Sequence, residues 1–152
     1  MRHWIAFLGP AALCACATLP RYYKASDPLT AAEHDRLGAA YEAQGLLDDA
    51  RHQYQAALAL EHADPQAWVA LGDLEFRRGD YRAAERDFRR ALKAAPARAD
   101  ALNNLAMTYL ARRKNLTEAR RLAEEALSLG GPVKPYALDT LAGIQRCAGL
   151  AR

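Results

Sequence analysis

The side chains most readily recruited for chemistry in this chain of 152 residues are four histidines and three cysteines. A zinc site needs several nitrogen or sulfur ligands brought to one point. His3, His34, His52 and His62 never pair at ligand spacing with a cysteine or a carboxylate cluster. His34, Asp35 and His52 come nearest to a set, yet no two of them share a face. Cys14 and Cys16 crowd into the first sixteen residues and Cys147 stands apart, which is no disulfide framework. A reactive thiol needs an electropositive, accessible setting, and Cys147 reads instead as a packed side chain on a C-terminal helix. No glycine-rich phosphate loop, Gly-x-Ser-x-Gly elbow or paired-histidine helix is present. The expectation is no enzyme, no metal, no cofactor and no small-molecule substrate.

Basic residues form one series, Arg77, Arg78, Arg82, Arg86, Arg89, Arg90 and Lys93, with a shorter cluster at Arg112, Arg113 and Lys114. Asp80, Glu85 and Asp87 interrupt the first, and the formal net charge is only +3. Nonspecific nucleic-acid binding needs several uncompensated cations together. A solvated, salt-bridged helix face is expected, and no nucleic acid.

The first sixteen residues carry the remaining chemistry. Arg2 and His3 precede an apolar run over residues 4–13, too short to span a bilayer and of the length of a signal-peptide core. The run ends Leu13-Cys14-Ala15-Cys16, which resembles the bacterial lipobox and makes Cys16 the expected lipidation site. Cys14 is an uncommon residue inside such a box. An ordinary cleaved signal and an apolar N-terminal tail are the alternatives. Residues 17–29, with Pro20, Pro28 and Arg21-Tyr22-Tyr23-Lys24, lack helical periodicity and read as a flexible tether.

The elements behind the tether are set by an internal repeat. Leu37-Gly38 recurs as Leu71-Gly72 and then as Leu105-Ala106, each 34 residues on, and Leu141-Ala142 follows 36 later. Gly45 matches Gly79, Ala50 matches Ala84, Tyr54 matches Phe88, and Ala57-Leu58 matches Ala91-Leu92. In the third unit these places fall at Ala119, Ala123 and Ala126-Leu127, after one residue is inserted near Lys114-Asn115. Hydrophobic residues are 51% of the chain, with alanine prominent and β-branched residues few, a balance that favours helices. Each unit reads as two antiparallel helices. Gly38, Gly72, Ala50, Ala84, Ala106 and Ala119 stand where helices approach closely, with the large apolar residues between them. Gly45 and Gly79 suit a left-handed turn. Thr30 with Glu33 and Asn115 with Glu118 read as capping boxes, and Asp64-Pro65 as a cap followed by proline at the first helical position.

Trp68, Leu71-Gly72, Gly79, Tyr81, Ala84, Phe88, Ala91-Leu92 and Pro96 carry a resemblance to the tetratricopeptide repeat family. It implies an all-α solenoid of stacked helix pairs, with three full repeats over about 31–64, 65–98 and 99–134 and a C-terminal helix over 135–152. The first helix of each pair then lines a concave groove that binds a protein or an extended peptide. By the repeat register the groove receives Arg36, Asp73, Phe76, Arg77, Asn103, Asn104, Met107 and Tyr136, with Val69 and Ala70 among its lining. Asn104 is the candidate for pairing an extended backbone, and Phe76, Met107 and Leu110 for an apolar floor. Members of the family that clamp a C-terminal carboxylate use Lys, Asn and Arg where this chain has Asp35, Ala39, Ala70 and Asp100, so that mode is not expected. The chain also resembles small bacterial tetratricopeptide lipoproteins. That likeness implies a lipid-anchored scaffold of the cell envelope, facing the periplasm, with the outer membrane preferred. The alternative is a cytoplasmic adaptor with an uncleaved apolar N-terminus.

Overall fold

A computed structural model of the protein describes residues 27–149. The signal and lipidation readings on residues 1–16, and all of the tether before residue 27, lie outside the described residues. Among the described residues there are seven α-helices, α1 (Ala31–Ala43), α2 (Leu47–Leu60), α3 (Pro65–Arg77), α4 (Tyr81–Ala94), α5 (Ala99–Ala111), α6 (Leu116–Leu129) and α7 (Lys134–Gly149), and no strand. A single 3-10 turn at Gly131–Val133 precedes α7. Helices pair as α1 with α2, α3 with α4 and α5 with α6; each pair then stacks on the next, and α7 packs on α5 and α6. This is the expected all-α solenoid of three hairpins and a closing helix.

Helix starts follow the local signals, with one exception. Thr30 and Glu33 form the complete capping box, and Asp64 accepts from the amides of Gln66 and Ala67 ahead of Pro65. Asn115 makes no side-chain cap; its backbone is left-handed, at φ 52°. The reason lies in the inserted residue. The first two hairpins turn through residues 44–46 and 78–80, each on one left-handed glycine, Gly45 or Gly79. The third turns through residues 112–115 and uses two left-handed positions, Arg113 and Asn115. Asparagine tolerates that conformation better than most residues, so Asn115 serves the turn and not a capping box.

Close approach within hairpins explains the small residues. A β-carbon on Gly38 would lie 2.7 Å from the Tyr54 ring, and one on Gly72 2.5 Å from the Phe88 ring. Ala50, Ala84, Ala106 and Ala119 are fully buried. Two apolar clusters result. One joins α2 and α3 through Tyr54, Leu58, Leu71 and Leu74. The other runs from Phe88 through Leu102, Leu105, Tyr109 and Leu122 to Ile144 on α7. Each such side chain contributes roughly 1.5–3 kcal/mol on burial, and both clusters cross from one hairpin to the next. Stacking is what completes the core.

Candidate functional site: a groove with an apolar end

The groove is built by the first helices of the hairpins, α1, α3 and α5, and by α7. Residues one repeat apart fall on neighbouring helices, so polar side chains meet across the stack. Arg77 Nη1 on α3 donates to Glu42 Oε1 on α1 at 2.7 Å, and the Tyr54 hydroxyl donates to the other Glu42 oxygen at 3.1 Å. Asn104 Nδ2 on α5 donates to Asp73 Oδ1 on α3 at 2.7 Å. Arg98 engages both Asp100 oxygens, with Nε to Oδ1 at 2.9 Å. The ion pairs found among the described residues thus hold Glu42 and Asp100, and none falls on Asp73.

Asp73 is consequently unusual. Burial above all, and then the like charges of Glu42 and Asp100, push its carboxyl up to about 7, against the opposing pull of Asn104 and Arg77. Asp35 is raised similarly, first by burial and then by Asp64 and Glu61 beside it, and its Oδ1 is buried without a hydrogen bond.

Two cavities share Phe76 and Met107, and Asp73 lines the smaller. A small one of about 50 Å³ is lined by Asp73, Phe76, Phe88, Asn104 and Met107. Phe76 and Met107 also wall a larger one of about 380 Å³, with Leu110, Tyr136, Gly143 and Arg146 among its other residues. Gly143 lets α7 close against Leu110 at the cavity wall, because a β-carbon there would lie 2.8 Å from the Leu110 side chain. Tyr136 is 63% exposed on its rim, and Asp139 and Arg146 stand nearby with opposite charges.

The structure brings Asp73, Phe76, Asn104, Met107 and Tyr136 together, and Arg77 joins them through Glu42. Arg36 is exposed on α1 and meets none of the others in a described hydrogen bond. Asn103 is a correction. It is 2% exposed, accepts from the Thr140 hydroxyl at 3.0 Å, and its Nδ2 lies 3.5 Å from Met107 sulfur. Its register position faces the next helix of the stack, so it fastens α5 to α7 and lines no groove. Val69, at the same register position as Asn103, and Ala70 were also read as lining, and both are buried.

Other buried polar groups escaped the sequence reading. Glu75 is 6% exposed within α3 and pairs with Arg51 of α2 at 3.1 Å. Arg90 pairs with Asp87 at 2.9 Å and lies over the Trp68 ring at 4.6 Å. They line a cavity of about 490 Å³ away from the groove, together with His62, Gln55 and Arg86. An acidic residue at an otherwise apolar repeat position, Glu75, was the available signal. The basic series is largely paired: Arg77 with Glu42, Arg78 with Asp48, Arg89 with Glu85 and Arg90 with Asp87. His34 is buried, its Nδ1 2.8 Å from Gln53 Oε1, and Cys147 is half-buried.

The tetratricopeptide repeat family's sequence profile matches residues 36–81 and 69–132, an overlapping pair that spans most of the stack. The chain belongs to the tetratricopeptide repeat family. Solved tetratricopeptide domains share its shape. The first such domain of Spaghetti (RPAP3) bound to the HSP90 peptide SRMEEVD superposes with a TM-score of 0.73 at 24% identity, covering 80% of this chain and 94% of that one. The Sgt2 domain from Aspergillus fumigatus gives 0.73 at 18% identity, covering 80% of each. In sequence, the mouse protein O-mannosyl-transferase TMTC1 is 40% identical over 53 residues. That stretch is 35% of this chain and only 6% of that protein's length.

Proposed function

We propose that this tetratricopeptide protein is a scaffold that holds a protein or an extended peptide in its concave groove. The observation that carries the reading is the apolar cavity between Phe76, Met107, Leu110 and Tyr136, open on the face of first helices and flanked by polar side chains. Open apolar surface beside a few directional polar groups is what peptide grooves consist of. The similar RPAP3 domain is bound to an HSP90 peptide, which supports a peptide as occupant. That peptide ends in acidic residues, whereas Asp35, Asp73 and Asp100 stand in this groove, so a different sequence is expected here. No catalytic role is part of this reading.

The finer reading adds a lipid on Cys16, carried by Leu13-Cys14-Ala15-Cys16 after an apolar run. The protein then works at the bacterial cell envelope, on the periplasmic side and with the outer membrane as address, in assembly of an envelope complex. A photo-crosslinking residue in place of Tyr136, activated in intact cells, is expected to trap a defined protein partner. Trapping none, while the same residue on exposed Ser128 of α6 does, overturns the groove. Mass measurement and membrane fractionation of the wild type and Cys16→Ser test the anchor. A soluble wild-type product retaining Met1 ends the lipoprotein reading in favour of a cytoplasmic adaptor.

A further inference from the structure

Charge and shape along the groove specify more than "a peptide", if the groove is the binding face proposed above. The larger cavity is lined mostly by apolar side chains, with one acidic and one basic residue, Asp139 and Arg146, among them. Its near end shares Phe76 and Met107 with the small cavity that contains Asp73. Asn104 occupies Asp73 Oδ1 with a neutral amide, and none of the described ion pairs supplies a cation to Asp73, unlike Glu42 and Asp100. A half-buried carboxylate of this kind gains most from a positive charge brought to it by a ligand, because water screens it poorly. Phe76 and Met107 wall both cavities, so a charge held on Asp73 in the small one lies next to an apolar group in the larger one. Alternate residues of an extended chain lie on one face about 6.5 Å apart.

We propose that the groove takes an extended segment bearing a lysine or arginine two residues from a large apolar side chain. The cation sits on Asp73, and the apolar group enters between Phe76, Met107, Leu110 and Tyr136. A cation there favours ionised Asp73, whose carboxyl burial has raised to about 7. Glu42 from α1 and Asp100 from α5 face Asp73 with like charge, Arg77 with opposite charge, and Asn104 is neutral. Binding therefore strengthens from pH 6 to pH 8, as the competing proton is lost.

The test uses the full chain and end-blocked serine hexapeptides, followed by amide NMR titration. One peptide carries lysine two positions before leucine. Controls replace the lysine by glutamine or glutamate, or the leucine by serine. The lysine–leucine peptide is expected to bind about tenfold tighter than the glutamate control, to shift the amides of Asp73, Phe76 and Met107, and to tighten with pH. Asp73→Asn, checked for an unchanged fold by its spectrum, is expected to lose both the preference and the pH dependence. Equal or tighter binding of the glutamate peptide, an unaffected Asp73→Asn, or shifts confined to the outer helices overturns the proposal. Leucine-dependent binding in the groove without any lysine preference sinks the cation and leaves the groove reading standing. Failure of every peptide to move a groove amide sinks this proposal, and crosslinking through Tyr136 then decides the groove itself.

Discussion

The Phe88 ring occupies the space where a β-carbon on Gly72 would be, its Cε1 2.5 Å from that position. Phe88 is fully buried, so the ring can move only against packed neighbours or into the small cavity it lines. Alanine at Gly72 would gain about 1 kcal/mol in helix propensity and lose roughly 1–3 kcal/mol to overpacking. Overpacking wins. Gly72→Ala is expected to lower the melting temperature and Gly72→Leu to lower it far more. Adding Phe88→Leu to Gly72→Ala should cost less than the two single changes summed, and chemical denaturation of all variants measures the difference. Strict additivity would mean that the two residues do not compete for this space.

Gly79 shows the opposite situation, since nothing lies within 4 Å of a β-carbon there and only its backbone, at φ +81°, resists substitution. Gly79→Ala is expected to destabilise by about 1–2 kcal/mol, and Gly79→Asn by less. Denaturant midpoints compare the two, and equal losses would contradict a purely conformational origin.

Asn103 and Asn104 are neighbours with different duties. Asn103→Ala removes one of two acceptors of the Thr140 hydroxyl, the other being the Tyr136 carbonyl, and leaves a buried void, so it should cost about 1–2 kcal/mol, loosening α7 first. Hydrogen exchange on α7 reports that loss. Asn104→Ala, on the half-buried groove side, should change stability by less than about 1 kcal/mol while weakening partner binding. The reverse order of stabilities would require a different register for α5.

Arg51 provides the counter-charge for buried Glu75 at 3.1 Å. Arg51→Met leaves that carboxylate unpaired and is expected to destabilise by about 1–3 kcal/mol at pH 7. A second change, Glu75→Leu, should restore most of the loss, because an apolar pair carries no desolvation cost. Thermal melts of the single and double variants check this.

Asp73 also makes stability depend on pH. Its folded carboxyl titrates at about 7, above the ordinary value of 3.8. The folded protein therefore holds a proton that the unfolded chain has released between those values, and the stability contributed is present below pH 4 and lost as pH rises through 7. Asp73→Asn should match the wild type near pH 4 and exceed it at pH 8 by about 2–4 kcal/mol. Melts at the two pH values measure it, and a constant difference would refute the shift. Asp35, raised for similar reasons, adds a loss of the same sign in both proteins.

Repetition made the hairpins legible in one dimension. Small residues recurring at Gly38, Gly72 and Ala106, and large ones at Tyr54 and Phe88, encode the helix pairs, their close contacts and their stacking, because each position meets the same neighbour in every copy. Turn glycines and the caps at Thr30 and Asp64 are likewise decided by backbone sterics within a few residues. What only the assembled stack decided was the fate of polar side chains between copies. Asn103 and Asn104 are adjacent and chemically identical, yet a rotation of about 100° around the helix sends one into the α7 interface and the other towards Asp73. Which carboxylates acquire a cation also depends on distances across hairpins: Arg77 reaches Glu42 and Arg51 reaches Glu75, while Asp73 receives only an amide. Burial and long-range pairing are properties of that three-dimensional neighbourhood, and no local pattern of residue types specifies them.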